Sequence, residues 1–191
     1  GDGREADPQD LGGGHMRPVK LVMSAFGPYA GLEAIDFDAL GREGLYLITG
    51  DTGSGKTTIF DAVVFALYGE ASDQNRDRNM LRSAYAEAGT DTYVELTFRC
   101  RNQDYRIRRN PQYERPMKRG NGFTKQSSGA EIVFPDGRMV SGDKDVTAEV
   151  TQLLGIDKDQ FMQIAMIAQG DFLKLLLADT PARKKILSSI F

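Results

Sequence analysis

The chain has 191 residues, a formal net charge of -3, and 40% hydrophobic against 27% charged residues. Those figures suit one globular domain, or one lobe of a split domain, and exclude a disordered chain. No apolar run approaches the ~18 residues of a membrane span, which excludes a membrane helix; the best runs are Ala62–Tyr68 and Ile164–Ala168. The only cysteine, Cys100, excludes an internal disulfide and points to a reducing compartment, read as the cytoplasm.

Residues 1–16, GDGREADPQDLGGGHM, have no apolar periodicity and read as an expression leader joined at a start methionine. They hold four acids and one base, so the whole charge of -3 lies there, and residues 17–191 carry 23 bases and 23 acids. The only histidine, His15, also lies there. Chemistry that needs an imidazole is thereby excluded unless a partner supplies it.

In chain order, Val19, Leu21 and Met23 alternate with polar neighbours and predict a strand over Pro18–Ala25. Phe26-Gly27-Pro28-Tyr29 breaks it with turn chemistry. Ile35 and Phe37 alternate with Asp36 and Asp38, which predicts a second short strand. Leu45–Ile48 is a short apolar run expected to be a strand buried on both faces. A glycine-rich loop follows, then a helix over Lys56–Tyr68 with Ile59, Phe60, Val63, Val64 and Leu67 at helical spacing, stopped by Gly69. Ser72–Gly89, with Arg76, Arg78 and Arg82, reads as a polar loop.

Two alternating strands come next. Val94, Leu96, Phe98 and Cys100 share a face in the first; Tyr105 and Ile107 share one in the second, with a tight turn at Asn102-Gln103. Asn110–Gly129, rich in Pro, Gly, Ser and Lys, reads as a mobile loop. Ala130–Phe134 and Arg138–Val140 flank a Pro135-Asp136-Gly137 turn. Val146, Val150, Leu153 and Leu154 mark an amphipathic helix ended by Gly155. A further helix starts near Asp157 and leads into Ile164–Ala168, expected to be another buried strand. Phe172–Leu177 reads as helical, and Thr180-Pro181 opens a last helix through Phe191. Mixed strands and helices argue for an α/β fold with an antiparallel portion.

Gly50-Asp51-Thr52-Gly53-Ser54-Gly55-Lys56-Thr57 fits the pattern G-x-x-x-x-G-K-[ST]. Glycines let successive amides point inward at phosphate oxygens, and the next helix presents its N-terminal amides to the same anion. The pattern assigns Lys56 to the β- and γ-phosphates of a nucleoside triphosphate and Thr57 to Mg²⁺; Thr58, next in the chain, is counted with the nucleotide site. Hydrolysis also needs an acid at the end of an apolar strand. Asp136 follows a turn proline and Asp157 a helix-stop glycine, so neither convinces, and the chain reads as half of an ATPase site. Arg82 reads either as a phosphate or DNA contact or as a solvated loop arginine.

Between Arg99 and Lys125 lie nine bases, Arg99, Arg101, Arg106, Arg108, Arg109, Arg115, Lys118, Arg119 and Lys125, against Asp104 and Glu114. This +7 over 27 residues predicts a positive surface that attracts the DNA backbone without reading sequence. The competing reading is a solvated hairpin, since the rest of residues 17–191 totals -7.

Several segments converge. Ser24-Ala25-Phe26-Gly27-Pro28-Tyr29, Gly55-Lys56-Thr57-Thr58-Ile59-Phe60-Asp61-Ala62, Phe65-Ala66-Leu67-Tyr68-Gly69, Met80-Leu81-Arg82-Ser83 and Ala168-Gln169-Gly170-Asp171-Phe172 resemble bacterial SbcC. That family comprises ATPase subunits of a double-strand-break nuclease, related to structural maintenance of chromosomes proteins. The resemblance implies a P-loop lobe of ABC-ATPase type over residues 17–178, with residues 179–191 starting a long coiled coil. It implies that Gln169 is the Q-loop residue at magnesium and attacking water, and that the catalytic acid and signature motif come from a C-terminal lobe of the same protein. Further implied partners are a second copy joined through ATP, an SbcD-type nuclease and double-stranded DNA ends, with no membrane. The competing functions are a self-contained P-loop phosphotransferase, with Asp136 or Asp157 on magnesium and no DNA role, and a DNA-binding module with a vestigial P-loop.

Overall fold

The structure is a computed structural model that describes residues 16–41, 46–51, 53–71, 81–117 and 119–165. The first strand, β1 (Arg17–Ser24), and the short β2 (Leu32–Asp36) pair antiparallel, with Leu21 opposite Ile35. Phe37 does not continue β2. It opens a one-turn helix, α1 (Phe37–Leu40), because the Asp36 side chain accepts from the Ala39 amide and caps it.

The principal helix, α2 (Lys56–Tyr68), has the predicted bounds, and Gly69 ends it in the left-handed region with φ 75°. Nine of its residues are buried, so it lies along the core rather than at its rim. It packs on the long hairpin of β3 (Tyr93–Cys100) and β4 (Gln103–Asn110). Their alternation is as expected: Val94, Leu96, Phe98 and Cys100 are buried, as are Tyr105 and Ile107. The turn falls one residue earlier than predicted, since Arg101 and Asn102 take φ of 50° and 59°. After it come a small hairpin, β5 (Tyr113–Pro116) and β6 (Phe123–Gln126), and two strands that extend the main sheet, β7 (Gly129–Val133) and β8 (Met139–Ser141). Helix α3 (Asp143–Leu154) follows, ended by Gly155, and a last described helix, α4 (Lys158–Ala165), contacts α2.

Among the described residues the main sheet has six strands in the order β2-β1-β3-β4-β7-β8, and every pairing is antiparallel. Helices α2 and α3 cover one face, with Leu21, Leu96, Ile107, Ile132, Val64 and Val146 between the layers. The opposite face is lined by Lys20, Arg106 and Arg108, all exposed.

Three expectations are corrected. Residues 110–129 are not a mobile loop throughout, for β5 and β6 form a second sheet there. Four-residue strands broken by Pro and Gly carry too little apolar alternation to be seen in one dimension. Tyr46–Ile48 form no strand, and Leu47 is 73% exposed. A short apolar run becomes a strand only where neighbours take its backbone hydrogen bonds, and no described strand lies beside it. Ile164 and Ala165 belong to α4 and not to a strand; a short apolar run does not by itself distinguish the two. Leu45, Ala168 and the segments expected to be helical beyond Phe172 lie outside the described residues.

Candidate nucleotide site

The loop before α2 is shaped by its glycines. Gly53 and Gly55 take φ of 87° and 86°, values that side-chain-bearing residues adopt at a cost. A Cβ at Gly55 would come within 2.6 Å of the Tyr29 hydroxyl oxygen. Gly55 is also the N-cap residue of α2, so the helix starts with no side-chain cap and no acid in its first turn. The first amides of α2 and the positive end of its dipole are thus left for an anion.

Lys56 folds back over the loop. Its ammonium donates to the carbonyls of Gly50 and Asp51, both at 2.5 Å, and lies 3.4 Å from Ser54 Oγ. A cation inside the ring of glycines and an uncapped helix start match the donor set a triphosphate needs. Thr57 is exposed on the first turn, open to a metal ion; Thr58 is buried beneath it. Thr52 and Gln169 lie outside the described residues.

Sequence reasoning missed what holds this loop in place. The Phe26-Gly27-Pro28-Tyr29 turn lies directly beneath it. Gly27, at φ 58°, is so close to α2 that a Cβ there would come within 2.5 Å of Thr58 Cγ2. The Tyr29 hydroxyl donates to the Gly55 carbonyl at 3.4 Å, and burial raises its pKa. A glycine between an aromatic and a proline, directly after a strand, was the available signal.

Arg82 is half-buried, and its hydrogen bonds run to the loop that follows it. Its backbone neighbours clamp the same turn, with Gly27 N donating to Leu81 O at 2.9 Å and Ser83 N to Ala25 O at 2.8 Å. Its guanidinium donates to Thr90 O at 2.6 Å, Thr92 Oγ1 at 2.5 Å and Glu87 O at 2.9 Å, and lies 4.9 Å from the centre of the Tyr113 ring. These acceptors and the ring make it an organiser of loop 83–92.

The basic stretch divides on folding. Arg109 is 1% exposed: its guanidinium donates to Ala66 O, Leu67 O, Asp143 and Thr147 Oγ1, and contributes nothing to a surface. Its place after Tyr105 and Ile107 on the inward parity of β4 was the overlooked signal. Arg99 is paired with Asp104 through two hydrogen bonds of 2.6 and 2.9 Å, which hold the carboxyl below its usual range. Arg108 stacks 3.6 Å from the centre of the Tyr93 ring and reaches Glu95 at 3.7 Å. Arg101, Arg106, Arg119 and Lys125 are exposed, Arg115 is half-buried, and among the described residues none of these five has an ion pair. Lys118 lies outside the described residues.

The two alternative acids do local work. Asp136 Oδ1 accepts from Arg138 N at 2.9 Å inside its turn, and Asp157 Oδ1 accepts from Gln160 N at 2.9 Å at the start of α4.

An α/β lobe with a glycine-ringed lysine at an uncapped helix start is a P-loop nucleotide-binding lobe. The family model described as AAA domain matches residues 20–191, and the chain belongs to that family. Over 92% of its length the chain is 42% identical to the SbcC component of the SbcCD nuclease from Vibrio cholerae and 38% identical to its counterpart from Lactococcus lactis. It spans 18% and 17% of those relatives, about a sixth of their length. A solved structure from work on ATP-driven dimerization and DNA-stimulated activation of SMC ATPases overlays with a TM-score of 0.43 and 20% identity, covering 92% of this chain and 99% of that one. The likeness to SbcC read from the motifs is borne out by the curated relatives.

Proposed function

We propose that the chain is the ATP-binding N-terminal lobe of an SbcC-type ATPase that serves an SbcD-type nuclease at double-stranded DNA ends in break repair. The observation that carries this is Lys56, held by Gly50 O and Asp51 O at the uncapped start of α2. Bound Mg-ATP supplies an electrophilic γ-phosphoryl group and its charge-neutralising metal.

The lobe's own residues bind and orient. Lys56 would give up two carbonyls to hold the β- and γ-phosphates, and the amides of the loop from Gly50 to Gly55 would supply the remaining donors. Exposed Thr57 would hold the metal ion through its hydroxyl. Gln169 senses the γ-phosphate at magnesium or the attacking water. Neither Asp136 nor Asp157 is offered as the acid, since both carboxylates are engaged locally. The acid therefore comes from a C-terminal lobe, and a second copy closes the nucleotide between them. Exposed Leu47 and Ile48 just before the loop support this, because a strand supplied by that lobe gives them cover. On this reading residues 17–178 form the lobe and 179–191 start the coiled coil.

The DNA surface is narrower than the nine bases suggest. Arg101, Arg106, Arg115, Arg119, Lys125 and Lys118 remain as backbone contacts; Arg109 is withdrawn, and Arg99 and Arg108 are partly neutralised.

The test is calorimetric. The chain binds Mg-ATP, Lys56→Ala abolishes binding, and turnover appears only when the C-terminal lobe is added. Robust hydrolysis by the chain alone overturns the split site. A DNA affinity that does not fall with salt overturns the DNA role.

A further inference from the structure

Two large apolar side chains stand at the tip of the β5–β6 hairpin, Phe123 at 60% and Met117 at 46% exposed. The register pairs Pro116 with Phe123 and Glu114 with Lys125. Strand alternation therefore puts Glu114, Pro116, Phe123 and Lys125 on the outward face. The inward face carries Tyr113, which is buried and anchors the foot of the hairpin through its hydroxyl to Asp91 Oδ1 at 2.9 Å. The ribbon is thus fixed at its foot and holds an aromatic ring clear of the core.

Its charge is mainly positive. Residues 113–126 contain Arg115, Lys118, Arg119 and Lys125 against a single acid, Glu114, which stands opposite Lys125. Among the described residues Arg115, Arg119 and Lys125 have no ion pair, and Arg115 Nε is buried with no hydrogen-bond partner. A single exposed aromatic needs no explanation by itself. An aromatic at a ribbon tip among cations that outnumber the one acid beside them has the chemistry of a stacking platform, where cations hold phosphates and the ring takes a base. A closed duplex hides its base faces in the stack; an end or an unpaired nucleotide offers one.

We infer that the β5–β6 hairpin is a DNA-end element, in which Phe123 stacks on a terminal or unpaired base while Arg119 and Lys125 hold the flanking phosphates. This rests on the role at DNA ends proposed above and adds to it the side chains that meet the end.

The experiment compares an open-ended duplex carrying 2-aminopurine as its terminal base with a dumbbell duplex of equal length closed by loops at both ends. The 191-residue chain is expected to bind the open duplex more tightly and to quench the probe. Phe123→Ala lowers affinity for the open duplex roughly tenfold and removes the quench, with the dumbbell unchanged. Phe123→Trp keeps both signals, and equal melting temperatures show that all three proteins are folded. Arg119→Ala with Lys125→Ala weakens both DNAs alike and flattens the salt dependence. If Phe123→Ala binds open and closed DNA as the parent chain does, the end element is overturned and the DNA role stands. If the parent chain binds neither DNA, the DNA role itself fails and the end element with it.

Discussion

The guanidinium of Arg109 donates to the main-chain carbonyl of Ala66 at 2.8 Å and so ties the sheet to the end of the nucleotide-loop helix. Helix ends leave four carbonyls without intrahelical partners, and a buried cation there serves both the hydrogen bonds and the dipole. The same guanidinium reaches Thr147 on α3 at 2.8 Å, so three elements meet at one side chain. Arg109→Met leaves Ala66 O and Leu67 O short of donors in a dry site and takes the cation from Asp143. We expect a loss of about 3 kcal/mol in urea unfolding. Arg106→Met, on the open face, stays within about 0.5 kcal/mol of the parent.

Gly27→Ala tests the seat of the loop. The residue sits at φ 58°, and a Cβ meets Thr58 Cγ2 at 2.5 Å. Left-handed strain and overpacking together cost about 3 kcal/mol. Because the strain is relieved by moving Thr58, ATP affinity falls along with the melting temperature. Calorimetry with Mg-ATP reads the first and a thermal melt the second. Gly137→Ala shares the positive φ but meets no atom within 4 Å, and leaves ATP affinity unchanged.

Cys100 is fully buried, and burial pushes its thiol above the ordinary range while Arg101 pulls it slightly back. A buried thiol that stays protonated does not react. Labelling with an aromatic disulfide reagent at about pH 8, near the ordinary thiol pKa, should therefore proceed at the rate of unfolding. It should quicken with urea as the folded fraction falls.

Asp104 is held below the usual carboxylate range, chiefly by its hydrogen bond from Arg99. A depressed folded pKa adds stability above the unfolded value of about 4, and that stability is lost as pH falls through the folded value. Both partners are well exposed, so the pair contributes under about 1 kcal/mol. Asp104→Asn should lower stability slightly at neutral pH and make the fall below about pH 4 shallower, as read by urea unfolding across pH.

The helix α2, the β3–β4 hairpin and the phosphate loop were legible because each is written in adjacent residues. Helical spacing from Ile59 to Leu67, strict alternation from Val94 to Cys100 and the glycine-lysine pattern of the loop are local signals. The β5–β6 hairpin was not, because its strands are short and polar. The bracing roles of Arg82 and Tyr29 were not legible because their partners lie elsewhere in the chain, at Thr90, Thr92 and Gly55.

Charge shows the division most clearly. Nine bases and two acids over 27 residues were countable from the chain, and that count alone made a uniform positive surface. Only the tertiary structure decided which charges reach water. Register set Arg108 beside Glu95 and Arg99 opposite Asp104, and inward parity placed Arg109 against two carbonyls of α2. A charge's effect depends on what lies within a few ångströms, and the acids that answer these bases come from neighbouring strands or across a turn. Sequence alone determined that the lobe carries a phosphate loop and an excess of cations. Folding decided that the +7 is a few free cations near one hairpin, with a buried arginine bracing the helix behind the loop.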